Sequence, residues 1–126
     1  MNITKLIVFI AALHGAAGVG LAAAASHGAD KMPLLGTASQ FLMIHAACGL
    51  ALAAFLCSVT LNGRLLVGII ISMQSGVSLF SADLISRAYL EGRLFPFAAP
   101  LGGSVTLFAW IALALWSLLH IRQKII

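Results

Sequence analysis

The sequence predicts an all-α integral membrane protein, with four transmembrane helices packed as an antiparallel bundle. Three observations predict it. Mean hydropathy is +1.12 and only 8% of the 126 residues are charged, against about 25% in a soluble domain. Four apolar stretches each reach the roughly 20 residues that cross the hydrocarbon of a bilayer. The connections between them are short, so residues 1–126 make one membrane domain with spans at about 6–25, 37–60, 65–87 and 101–120, and no soluble catalytic domain fits beside it. Seven Lys and Arg against three Asp and Glu give a net charge of +4. These charges sit near span ends, where they match anionic lipid headgroups and not nucleic acid.

The first span follows Lys5 and ends in Ala23-Ala24-Ala25-Ser26, which resembles the small-residue cleavage site of a signal peptide. Its apolar run of about 20 residues exceeds the usual 7–15 of a signal core, and it is read as a true span. Ala12, Ala16, Gly20 and Ala24 recur every four residues, a ladder expected to bring another helix backbone close. His27, Gly28, Asp30, Lys31 and Pro33 mark a loop. Thr37-Ala38-Ser39-Gln40 then fits a capping box that opens the second span.

That span continues through Phe41, Ile44, His45, Gly49 and Phe55 to about Thr60, and Leu61-Asn62-Gly63 is a tight turn that makes spans two and three antiparallel neighbours. Cys48 and Cys57 lie about 13 Å apart along one helix axis at 1.5 Å per residue, too far to bridge. They are read as buried packing residues. Met32, Met43 and Met73 share no helix face and are read as packing or loop residues, not as a copper ladder.

The third span holds the polar stretch from Gln74 to Asp83. At 100° per residue Gln74, Ser78 and Ser81 share one face, while Ser72, Gly76, Asp83 and Arg87 share the opposite one. A helix with polar or small residues on two sides is expected inside the bundle. The loop after it carries Glu91, Gly92, Arg93, Pro96 and Pro100, with Phe95 and Phe97 placed to lie in the interface. The fourth span opens at Leu101 or Gly102 and ends near His120, with Arg122 and Lys124 in the headgroup layer. Trp116 fits an aromatic belt, and Trp110, at mid-span, does not. Lys5, Arg64, Arg122 and Lys124 share one membrane side, against Lys31, Arg87 and Arg93 on the other. This bias of four to three favours cytoplasmic termini.

Histidines inside a span are costly and draw attention to function. His14 and His45, on neighbouring helices, are candidates for haem or metal ligation, set against the plainer expectation that each donates one hydrogen bond to a carbonyl or hydroxyl across a helix pair. Ser75 with His45 as a hydrolase dyad ranks far below a packing role for the serines. Asp83 and Arg87, four residues apart, are expected to pair on one helix face. His27, with Asp30, Asp83, Arg87 and Glu91, is expected at one polar mouth. Gln40 is assigned to the capping box and Gln74 to hydrogen bonding between helices.

Several of these pieces resemble a known family. Ala25-Ser26-His27-Gly28, Thr37-Ala38-Ser39-Gln40 with His45-Ala46, Leu79-Phe80-Ser81 and Pro100-Leu101-Gly102-Gly103 are similar to the domain-of-unknown-function 423 family, whose eukaryotic members are called transmembrane protein 256. The resemblance runs from about Gly15 to Trp116. It implies a four-helix inner-membrane or organelle-membrane protein without an established biochemical role. Two positions depart from the family pattern: Ala82 and Asp83 stand where glycine and serine usually follow Leu-Phe-Ser, and Ala109 replaces a glycine before Trp110.

The expected function is that of a non-enzymatic accessory or assembly subunit of a larger membrane complex, of which respiratory complexes are one kind, in a bacterial inner membrane. Its expected partners are lipids with anionic headgroups and other membrane subunits or a second copy, with no cofactor. The alternatives are binding of haem, metal or a quinone-type ligand through His14 and His45, and small-molecule transport through Asp83.

Overall fold

The computed structural model describes residues 2–28, 32–59 and 63–122. Four helices follow one another: α1 (Ile3–Ala25), α2 (Met32–Leu56), α3 (Gly63–Tyr89) and α4 (Ala98–Leu119). All four are long and apolar enough to cross a membrane, and no strand occurs among the described residues. Asp30, Lys31, Thr60, Leu61, Asn62 and Lys124 lie outside the described residues.

Local chemistry accounts for the ends. Asn2 caps α1, its side-chain oxygen accepting from the Thr4 and Lys5 amides at 3.0 and 3.3 Å. α2 starts at Met32, five residues before the expected capping box, with Pro33 in the first turn where a missing N–H costs nothing. Thr37 is therefore already helical, and its hydroxyl turns back to the Pro33 carbonyl at 2.8 Å, while Gln40 is exposed and caps nothing. α4 likewise begins at Ala98, three residues before the expected Leu101, after Phe97 takes a left-handed φ of 65°.

α1 packs along α2, α4 along α3, and the α2–α3 contact joins the two hairpins, with α1 touching α3 more lightly. Backbones approach most closely at glycines. A Cβ on Gly76 would lie 2.7 Å from the Gly102 carbonyl oxygen, and one on Gly102 would lie 2.5 Å from Phe80 N, so α3 and α4 cross backbone against backbone. Gly18 does the same for α1 against Ser39 and Met43 of α2.

The buried line of α1 is Ile7, Ala11, His14, Gly18 and Ala25. The predicted ladder is not part of it: Ala12, Ala16 and Gly20 are exposed, and nothing lies within 4 Å of a Cβ on Gly20. Ile7, Ala53, Leu66, Ile69, Ile70 and Trp116 form the largest core cluster. Trp116 is thus core and not belt, its ring crossing Phe55 edge-on and stacking on His120. Cys57 is exposed and not buried, while Cys48 is half-buried against Met73.

Candidate functional site

The midplane of the bundle holds a chain of hydrogen bonds that joins all four helices. Gln74 of α3 is its hub. Its Nε2 donates to the His45 carbonyl of α2 at 3.0 Å, which fixes the amide so that Oε1 faces His14 of α1. His14 Nδ1–H then donates to that oxygen at 2.7 Å. On its other side His14 Nε2 lies 2.8 Å from Ser78 Oγ, and that hydroxyl also stands 2.9 Å from the Gln74 carbonyl. Gly49 makes the room, since a Cβ there would come within 2.6 Å of Gln74 Nε2.

His45 continues the chain to α4. Its Nδ1–H donates to the Phe41 carbonyl one turn back at 2.7 Å, and its Nε2 accepts from Trp110 Nε1–H at 3.2 Å. A carbonyl can only accept and an indole N–H can only donate, so the network itself assigns the His45 tautomer. A further buried bond, Ser39 Oγ–H to the Gly18 carbonyl at 2.6 Å, ties α1 to α2 nearby.

His14 and His45 are thus joined through Gln74: His14 donates across to α3, as the plainer expectation held, whereas His45 donates within its own helix to Phe41 and across the bundle only accepts, from Trp110. As an axial pair for haem they fit poorly, because both nitrogens of each ring are engaged. Among the described residues no group of three or more His, Cys, Asp or Glu is placed to hold a metal ion. Ser75 is exposed and does not meet His45. Ser81 is buried and its hydroxyl has no partner among the described residues, so it stands apart from Gln74 and Ser78.

The face opposite Gln74 divides. Gly76 and Asp83 are buried, whereas Ser72 is exposed. Asp83 does not pair with Arg87; no ion pair forms among the described residues. Its Oδ1 instead accepts from the Leu94 amide at 2.9 Å, and Ser86 Oγ donates to the Gly92 carbonyl at 2.7 Å. The i, i+4 spacing makes Arg87 available, but a backbone N–H eleven residues on is better placed for a carboxylate pointing into the α3–α4 turn. His27 is exposed at the end of α1, where Ala25 packs with Ala88 at the end of α3, and among the described residues no side-chain hydrogen bond or ion pair links it to Asp83 or Arg87.

Sequence reading missed Trp110 as a hydrogen-bond donor, Ser39 as an interhelical link and Gly49 as the space for Gln74. One signal was available for α1. A histidine at mid-span must face protein, so the small residues in phase with His14, namely Ala11 and Gly18, mark the packed side.

Fold and polar core together define a small four-helix membrane bundle held across its midplane by a shared hydrogen-bond network. The chain belongs to the family described as protein of unknown function (DUF423), whose model matches residues 21–103. That range takes in Ser39, His45, Gln74, Asp83 and Gly102 and leaves out His14 and Trp110. No curated protein matches the chain, and no solved structure matches it.

Proposed function

We propose that the chain is a non-enzymatic subunit that works by helix–helix association in the bilayer, as an accessory or assembly component of a larger membrane complex. One observation carries the reading. Ser72 and Ser75 lie within four residues of Gly76, the midpoint of α3, on its exposed face with Gly68, and neither hydroxyl has a hydrogen-bond partner among the described residues. Lipid tails offer such groups nothing, whereas a second helix offers both partners and close packing against small residues.

The ridge is flanked by grooves. Ser75 borders a cleft of about 290 Å³ against α1, and Gly68 and Ser72 border one of about 430 Å³ against α4. A helix laid on α3 has room to settle its side chains on both sides. The exposed Ala12, Ala16 and Gly20 give α1 a second face of the same kind. A respiratory complex is one setting for such a subunit. The setting we read for it is a bacterial inner membrane, and the four-to-three distribution of basic residues supports both termini in the cytoplasm.

A photo-crosslinking residue at position 72 tests this in native membranes. The expected product is an adduct with another membrane protein or with a second copy. Lipid adducts alone, together with a monomer in mild detergent, would end the proposal.

The cleft against α1 favours a second reading. His14, Gln74, Ser75 and Ser78 lie in an otherwise apolar wall, a setting for the polar head of a lipophilic quinone-type ligand. A short-chain quinone should raise the melting temperature of the purified chain but not that of Ser75→Leu. Equal melting temperatures with and without quinone would remove this reading.

A further inference from the structure

The end of α3 builds a charged recess separate from both the midplane network and the outer ridge. It has a volume of about 510 Å³, and its wall includes Phe80, Asp83, Arg87, Arg93, Ser104 and Leu107. Asp83 stands seven residues past the α3 midpoint and Arg87 eleven, about 10 and 16 Å along the axis. The recess therefore straddles the edge of a hydrocarbon layer about 30 Å thick. Phe95 and Phe97, both exposed, follow Arg93 in the same α3–α4 connection, at the end of the spans where aromatic rings settle.

The loop holds Arg93 from both sides. Gly92 is tied to α3 through Ser86, and Leu94 is tied to it through Asp83. Arg87 comes to the same recess from α3 itself. Asp83 is wholly buried, and its Oδ2 has no donor among the described residues, so neither guanidinium is drawn off to neutralise it. Among the described residues neither arginine has an ion-pair partner.

We infer that this recess binds the headgroup of an anionic phospholipid, with Arg87 and Arg93 taking the phosphodiester. Two unclaimed guanidiniums against one carboxylate select an anion, and the planar fork of each matches phosphate oxygens. Phe80, Leu84 and Leu107 continue the wall towards the hydrocarbon, where acyl chains belong and a free anion gains nothing. Asp83 is a positioning residue: it holds the loop so that Arg93 stays over the recess.

The test uses the full chain in phosphatidylcholine vesicles carrying a trace of spin-labelled phosphatidylglycerol or spin-labelled phosphatidylcholine, with the immobilised fraction read by electron paramagnetic resonance. Labelled phosphatidylglycerol is expected to be held in preference. Arg87→Gln and Arg93→Gln should each weaken that preference by roughly fivefold, about 1 kcal/mol per basic residue near the surface. Arg122→Gln, at the other membrane face, should leave it unchanged. Asp83→Ala should weaken it by freeing the loop, whereas Asp83→Asn, which keeps an oxygen for the Leu94 amide, should retain it. Ser86→Ala frees the same loop at Gly92 and serves if Asp83→Ala does not fold. Equal retention of the two lipids, or a preference that survives when both arginines are replaced, would overturn the assignment. Loss of the preference in excess inorganic phosphate would also overturn it, by making the recess a site for free anions.

Discussion

Gln74 and Ser75 are neighbours on α3, at the same depth in the bilayer, and the bundle treats them in opposite ways. Gln74 is buried, with its amide oxygen and nitrogen each bonded to a different helix, whereas Ser75 is exposed and its hydroxyl has no partner among the described residues. The same contrast extends along the helix, with Gly76 pressed against Gly102 on the inside and Gly68 facing open space on the outside. Polarity at membrane depth thus has two meanings. Where its partners lie within the chain it holds the fold together, and where they are missing it marks a surface that gains from a neighbour.

The largest effect is expected at the α3–α4 crossing. Gly102→Ala places a methyl group against the Phe80 backbone, which cannot move aside as a flexible side chain would. It should lower stability by about 1–3 kcal/mol, read as a shift in detergent unfolding of the purified chain. Gln74→Leu comes next. It removes both bonds of the hub and leaves the His14 N–H buried without an acceptor, a loss of about 1–2 kcal/mol in the same assay. Trp110→Phe deletes a single bond to His45 and should cost about 0.5 kcal/mol. Smallest of all for stability is Ser75→Leu, expected within about 0.5 kcal/mol of the parent. If Ser75→Leu destabilises the isolated chain as much as Gln74→Leu does, the distinction between the two faces of α3 fails.

The helix count was readable because bilayer thickness sets a minimum length for each apolar run. Register between helices was not. The spacing of Ala12, Ala16 and Gly20 is as regular as that of Ala11 and Gly18, and only the demand that His14 face protein separates them. The start of α2 was misplaced because Thr37 and Gln40 match a cap in sequence while Pro33 already opens the helix. The Asp83–Arg87 pairing failed for a related reason: spacing along one helix says which groups are near, but not which competing donor a loop delivers. The bond between His45 and Trp110 joins helices two and four, and no local pattern announces it. Gln74 as a link between helices was legible, since an amide at mid-span has few alternatives.

The most direct measurement compares Gln74→Leu with Ser75→Leu in native membranes and after purification. Ser75→Leu should keep the parent's unfolding profile yet lose its partner in mild-detergent extraction and crosslinking, while Gln74→Leu should lose stability first. A Ser75→Leu chain that keeps all its crosslinked partners, or that unfolds as readily as Gln74→Leu, would contradict the account.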